Sequence, residues 1–198
     1  MMEFLLSDLF IEILGAVTGI IYLYFSINQN IWLWPWGIIT SLLYVYVFYQ
    51  SKFYADMSLQ FYYLGISIYG WYFWLRGKKT IGEAKIPIIR ASKIEWIIFS
   101  FITVFISILV GYILDNYTDS PLPYWDAFTA GGSIVATWML ARKYLDHWIL
   151  WIVIDLVSIG IYWYKYLYPT VILFIVYTTM AVVGYFQWRK EQRKIAEN

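Results

Sequence analysis

The chain has 198 residues, of which 62% are hydrophobic and 14% are charged, and its formal net charge is +1. A soluble domain carries about 25% charged residues and roughly 45–50% apolar ones, so this composition excludes an ordinary soluble domain. The absence of cysteine excludes disulfides and thiolate metal sites, and the small net charge gives no indication of a nucleic-acid partner. Residues 1–8 include Glu3 and Asp8 but no basic residue, so we expect the first apolar stretch to be retained rather than cleaved.

Seven stretches are apolar over roughly the 17–25 residues that a membrane-spanning helix needs. In chain order they are residues 10–27, 32–49, 56–75, 94–114, 125–141, 147–164 and 169–188. Lipid admits only helices and closed barrels as spanning structures, and these stretches are too long for barrel strands. The sequence therefore predicts an all-α membrane protein with seven transmembrane helices.

Basic residues are concentrated on one predicted side of the membrane. Residues 76–93, residues 142–146 and the segment after residue 188 carry twelve Lys and Arg residues, whereas the opposite side carries only Lys52 and Lys165. Cytoplasmic loops are enriched in basic residues. We therefore expect a bacterial inner-membrane protein with its N-terminus outside and its C-terminus in the cytoplasm.

The sequence resembles itself after a shift of 114 residues, without a gap. The matched pairs include Ala16 with Ala130, Trp34 with Trp148, Tyr54 with Tyr168, Gly70 with Gly184, and Trp74 with Trp188. This pattern predicts a first three-helix bundle (1–75), a cytoplasmic linker (76–93), a linking fourth helix (94–114), a second bundle (115–188) and a cytoplasmic tail (189–198). After three spans and the linking fourth helix, the chain is back on the side of the membrane where it began. The second bundle therefore starts on the same side as the first, and the bundles are predicted to be parallel repeats. Such repeats are typical of transporters, with a solute site near the midplane.

One predicted helix carries a carboxylate deep in the membrane, which is a functional-site hypothesis by default because its insertion is costly. Asp155 shares a helical stripe with Trp148, Trp151, Ser158 and Tyr162. Indole rings attract cations that stack on them, and the carboxylate supplies a counter-charge. The stripe suits a flat, positively charged aromatic solute. The alternatives are a structural partner for Asp155 and interfacial anchoring for Trp148.

The third predicted helix carries a second candidate stripe of polar and aromatic residues: Gln60, Tyr63, Ser67, Gly70 or Trp71, and Trp74. Gln60 can donate and accept hydrogen bonds, which fits an amide or a ribose hydroxyl, although a contact between helices is an equal alternative. His147, the only histidine, is expected at the interface. One histidine without cysteine provides no common metal site, and no phosphate-binding glycine loop is present, so we expect no cofactor, no metal and no enzymatic activity.

These residues also resemble a known family. The sequences WPWGII at 34–39, YAD at 54–56, YGWYFW at 69–74, YWD at 124–126, RKY at 142–144 and WILW at 148–151, together with Gln60, resemble the PnuC family of vitamin transporters over nearly the whole chain. The resemblance implies a fold similar to the SWEET sugar transporters, a homotrimer in membrane lipid, and facilitated diffusion with trapping by a cytoplasmic kinase. It implies binding by Gln60 and by the Trp148–Trp151 pair.

The substrate implied by the resemblance is nicotinamide riboside, with thiamine as the alternative. Some riboside-carrying members have Asn four residues after the second Trp, where this chain has Asp155. Both vitamins are flat cations, so a carboxylate does not choose between them. The predicted substrate-binding residues are therefore Gln60, Trp71, Trp148, Trp151, Asp155 and Tyr162. Proton coupling through Asp155 and a non-transporting sensor are the remaining alternatives.

Overall fold

The computed structural model describes residues 2–50, 54–81 and 86–197, and within these ranges it contains seven helices. They are α1 (Met2–Ile27), α2 (Leu33–Gln50), α3 (Tyr54–Ile81), α4 (Lys93–Tyr117), α5 (Pro123–Ala141), α6 (His147–Tyr164) and α7 (Tyr168–Glu197). The prediction of an all-α protein with seven helices is confirmed. Of the described helices, α4, α6 and residues 168–194 of α7 are long and apolar enough to cross a membrane.

Two helices, α3 and α7, continue six or more residues past the C-terminal ends of the apolar stretches that predicted them. α3 reaches Ile81 rather than residue 75, and α7 reaches Glu197 rather than residue 188. The α7 extension is rich in Lys, Arg, Gln and Glu, and the α3 extension contains one Arg and two Lys. These residues are good helix formers although they are polar. The segment after residue 188 is therefore a continuation of α7.

The chain forms two compact units, Met1–Ile86 and Pro87–Asn198. In the first, α2 packs on α1 and α3, and in the second the contacts run from α4 to α5, from α5 to α6 and from α6 to α7. Glycines stand at several of these contacts. A Cβ on Gly15 would lie 3.2 Å from the ring of Tyr44, and a Cβ on Gly132 would lie 3.0 Å from Ile154. Small residues of this kind allow close helix approach in lipid.

The turns after α1 and α5 have the same geometry at positions 114 residues apart. Gln29 and Lys143 have positive φ angles of 50° and 60° and are both buried. In each turn, the N–H of the following residue donates to the carbonyl five residues earlier at 2.9 Å. This hydrogen bond closes the helix end, so both turns reverse the chain in the same way.

Residues 87–92 lie beside the α5–α6 turn and are hydrogen-bonded to it. Ile89 pairs with Tyr144 in an isolated parallel bridge, and the Ala91 N–H donates to the Asp146 carboxylate at 2.7 Å. The side-chain amide of Gln192 donates to a carbonyl of the same segment at 3.0 Å. We call residues 87–92 the strap, because they join the α5–α6 turn to the end of α7.

Candidate functional site

Asp155 lies at the middle of α6, in an apolar helix, and only 4% of its surface is exposed. Ser158, one turn further along the same face, is equally buried. Within the part of the chain that the structure describes, no side chain hydrogen-bonds to the Asp155 carboxylate. A buried carboxylate without a partner is costly in a membrane, which favours a functional reason for its presence.

Trp148 occupies a packing contact between α6 and α7. It is 1% exposed, and a Cβ on Gly184 would lie 2.5 Å from its Cζ2 atom. The Trp188 ring meets it edge-on at 5.9 Å and 86°, and the His147 ring lies 4.4 Å away. The indole thus fills the space that Gly184 leaves open.

The same contact occurs between α2 and α3. Trp34 is fully buried, its ring overlaps the Cβ position of Gly70, and Trp74 meets it edge-on at 5.5 Å and 90°. The indole nitrogens of Trp34 and Trp148 are buried and have no hydrogen-bond partner among the described residues. We call each Trp–Gly–Trp group a tryptophan lock. Trp148 therefore has a packing role that the position of Trp34 reproduces.

Tyr162 is held at the other end of the α6 stripe. Its ring stacks on Phe174 of α7 at 5.1 Å and 25°, and the Lys165 ammonium lies 6.0 Å from the ring centroid. Lys165 is fixed in turn by Asp126, whose two carboxylate oxygens accept at 2.9 Å. The middle of α6, with Trp151 and Asp155, thus lies between two fixed aromatic contacts.

Trp151 is half-buried, and the residue 114 positions earlier is a glycine. A Cβ on that glycine, Gly37, would lie 3.1 Å from the ring of Tyr22 on α1. The equivalent of Tyr22 on α5 is Ala136. At these positions the first unit has a tyrosine on α1 and a glycine on α2, whereas the second unit has an alanine on α5 and a tryptophan on α6, one turn from Asp155.

The α3 candidates lie in the first unit. Gln60 is half-buried and Trp71 is 37% exposed. Gly70, rather than its neighbour Trp71, lies against Trp34, so Trp71 is not part of the lock. Of the six predicted binding residues, the structure places four on one face of α6 and two on α3.

His147, the first residue of α6, is fully buried within the protein between Trp148 and Trp188, so its place at the membrane interface stays a prediction. Its Nδ1 lies 2.6 Å from the Tyr144 carbonyl, which can only accept, so Nδ1 carries the proton. The available signal for this burial was the sequence match at a shift of 114 residues, because the residue paired with His147, Leu33, is also fully buried. Among the side chains that the structure describes, no group of three potential ligands could hold a metal ion.

The structure is that of a polytopic α-helical membrane protein. It has seven helices among the described residues, exposed apolar side chains along α4, and a buried carboxylate in α6. The chain belongs to the nicotinamide mononucleotide transporter family, whose model matches residues 9–190. It is 27% identical to the nicotinamide riboside transporter PnuC of Escherichia coli K12, over 93% of this chain and 87% of that protein.

Two further comparisons extend the same finding. The riboflavin/roseoflavin transporter RibM of Streptomyces davaonensis is 23% identical, over 94% of this chain and 89% of that protein. A crystal structure of the vitamin B3 transporter PnuC superposes with a TM-score of 0.72 at 25% identity, covering 91% of this chain and 80% of the other. The resemblance to the PnuC family is confirmed, and the chain is a member of a transporter family.

Proposed function

We propose that this protein takes up nicotinamide riboside across a bacterial inner membrane. The observation that carries the proposal is membership of the transporter family over residues 9–190, with a riboside transporter similar over 93% of the chain. The buried carboxylate of Asp155 adds a chemical reason, since the pyridinium ring of the riboside is a flat cation.

The proposed binding group centres on Trp151 and Asp155. The indole offers a stacking face, worth about 0.5–2 kcal/mol for a cation, and the carboxylate offers the counter-charge. Tyr162 supplies further aromatic surface on α6. Gln60 and Trp71 of the first unit are also proposed to bind the substrate, and Gln60 can pair with an amide or a hydroxyl group. We assign Trp148 a supporting role, because its indole is enclosed by Gly184 and Trp188.

We further propose that all seven helices span the membrane, with the N-terminus outside. The uneven distribution of basic residues supports this orientation. The matching turns and the two tryptophan locks support an internal repeat of α1–α3 in α5–α7. Facilitated diffusion, trapping by phosphorylation and a homotrimer follow from the family resemblance and are part of the proposal.

Two other vitamins are competing substrates. Thiamine is also a flat cation, and riboflavin is named for the similar Streptomyces protein. Riboflavin carries no fixed positive charge, so a carboxylate would not favour it. Asp155 therefore supports a cationic vitamin over a flavin.

The test is transport by the purified protein in liposomes. We expect labelled nicotinamide riboside to equilibrate across the membrane, with saturation, without dependence on a proton gradient. Exclusive transport of thiamine or riboflavin would overturn the substrate, sensitivity to an uncoupler would overturn facilitated diffusion, and failure to move any vitamin would favour a sensor. In cells, loss of riboside phosphorylation should reduce accumulation without abolishing entry.

A pair of carboxylate variants locates the site. Asp155→Asn should raise the half-saturation concentration roughly 10–100-fold, because a charge-assisted contact is worth about 1.5–3 kcal/mol. Asp119→Asn is the control, because that carboxylate is exposed in the segment between α4 and α5. It should leave half-saturation unchanged. Equal effects of the two variants would place the site elsewhere.

A further inference from the structure

The end of α7 carries one continuous surface that changes from apolar to basic along the helix. Val183 and Phe186 are 50% and 61% exposed, and Lys190 and Lys194 follow at spacings of four residues. Residues three, four or seven apart lie on the same helix face. The surface therefore has an apolar part followed by a charged part, in the same order as the acyl chain and the headgroup of a phospholipid.

The length of α7 places this change at the edge of the membrane. Its 30 residues span about 45 Å at 1.5 Å per residue, whereas the hydrocarbon core is about 30 Å thick. About 20 residues from Tyr168 cross that core, which brings Phe186 near its boundary. Residues 189–194, with four basic side chains and one acidic side chain, then lie at headgroup level.

Two adjoining open hollows follow this surface and share Phe186, Lys190 and Lys194. One, of about 470 Å³, is also lined by Arg189 and Arg193. The other, of about 570 Å³, extends toward Val182 and Val183 and includes Gln187 and Glu191. All the residues that line the two hollows belong to α7, so the hollows are open grooves on the outer face of one helix, with basic side chains at one end and apolar side chains at the other.

We propose that this surface binds the headgroup of an anionic phospholipid. The phosphate lies against Lys190, Lys194 and Arg193, and the first part of an acyl chain lies along Phe186 and Val183. Basic clusters immediately beyond a membrane helix attract anionic headgroups. The apolar neighbours distinguish this ligand from free phosphate, because they contribute only when an acyl chain is attached.

The first repeat provides a matched comparison. Its equivalents of Phe186 and Lys190 are Tyr72 and Arg76, and the Arg76 guanidinium lies over the Tyr72 ring at 4.7 Å. That cation is stacked on its own helix, whereas the Lys190 ammonium borders the hollows of α7. Arg76 is therefore a basic residue at the corresponding position that should contribute little to lipid retention.

The experiment measures which lipids remain on the intact protein. Purified protein in nanodiscs of mixed phosphatidylglycerol and phosphatidylethanolamine is released and examined by native mass spectrometry, and bound lipids are counted. We expect phosphatidylglycerol to be enriched over phosphatidylethanolamine. The Lys190→Gln/Lys194→Gln variant should lose roughly 30-fold in retention, whereas Arg76→Gln should retain the lipid as the unaltered protein does.

A charge-conserving variant separates recognition from misfolding. Lys190→Arg/Lys194→Arg should restore retention, because guanidinium groups bind phosphate well, and binding should weaken as salt is raised. Equal retention of both lipids, or equal loss in Arg76→Gln, would overturn the proposal. So would inorganic phosphate displacing the lipid at millimolar concentration, which would indicate a free-anion site. Riboside transport serves as a separate readout, so failure of either proposal is recognised independently.

Discussion

Replacement by alanine should lower the free energy of unfolding at Gly184 in α7 and raise it at Gly160 in α6. A Cβ at Gly184 would lie 2.5 Å from Trp148 Cζ2 and 2.7 Å from its Cη2. A Cβ at Gly160 would meet nothing within 4 Å. Trp148 cannot easily move aside, because its ring is enclosed by His147 and Trp188. Gly184→Ala therefore forces a displacement, and Gly160→Ala does not.

The expected magnitudes follow from two opposing terms. Overpacking a filled contact costs about 1–3 kcal/mol, and replacing a helical glycine by alanine gains up to about 1 kcal/mol. Gly160→Ala should show the gain alone. Because the helix term is common to both variants, their difference in unfolding free energy isolates the clash and should be about 1–3 kcal/mol.

This difference in unfolding free energy can be measured by intrinsic tryptophan fluorescence during unfolding in detergent. No label is needed, and the chain has no cysteine to which one could be attached. The first unit repeats the design, with Gly70→Ala against the open position Gly65. Trp148→Phe combined with Gly184→Ala should recover stability relative to the sum of the single changes, because the smaller ring makes room for the methyl group. Equal stabilities for Gly184→Ala and Gly160→Ala would refute the tryptophan lock.

Two further predictions concern the strap and its neighbour. Asp146→Ala removes the acceptor of the Ala91 N–H and should cost about 1–3 kcal/mol, with faster amide exchange in residues 87–92 but not at the Asp126 end of α5. Tyr144→Phe removes the 2.5 Å hydrogen bond to Glu95 and should cost about 1 kcal/mol at neutral pH. Burial, reinforced by that hydrogen bond, raises the pKa of Tyr144 to about 12. The Tyr144 hydroxyl therefore keeps its proton to a higher pH in the folded state than in the unfolded chain. The resulting stabilisation of the folded state is complete below pH 10 and is lost as the pH rises to about 12. The difference from Tyr144→Phe should therefore narrow between these values, and a constant difference would contradict this account.

The helices could be predicted because hydropathy reports directly on lipid. Their ends could not, because the apolar pattern stops where lipid stops, whereas the helix stops where its hydrogen bonding does. α7 continues through Arg189–Lys194 for this reason. The strap was also beyond prediction, since residues 87–92 have no periodic pattern and their order depends on contacts with the α5–α6 turn.

The candidate site was only partly predictable from helical periodicity. Periodicity placed Trp148, Trp151, Asp155 and Tyr162 on one face, but it carries no information on the neighbour that covers each position. Trp148 therefore entered the predicted ligand stripe, although the structure encloses it against Gly184. The sequence match at 114 residues contained the missing information. It pairs Trp34 with Trp148 and Gly70 with Gly184, so both residues of the Trp148–Gly184 contact have a match.

The shift of 114 residues pairs a serine of α2 with the carboxylate of α6. Ser41, the equivalent of Asp155, is also 4% exposed, so a serine fits this kind of position. Asp155→Ser should therefore raise the free energy of unfolding by about 1–3 kcal/mol, because a carboxylate at mid-membrane costs about 2.5–3.5 kcal/mol to insert. The same change should raise the half-saturation concentration for the riboside at least as much as Asp155→Asn. A variant that is less stable would make Asp155 a structural residue, and a variant that transports normally would remove it from the binding site. Higher stability together with weaker transport is the result that a functional carboxylate requires, since it is retained despite its cost to the fold.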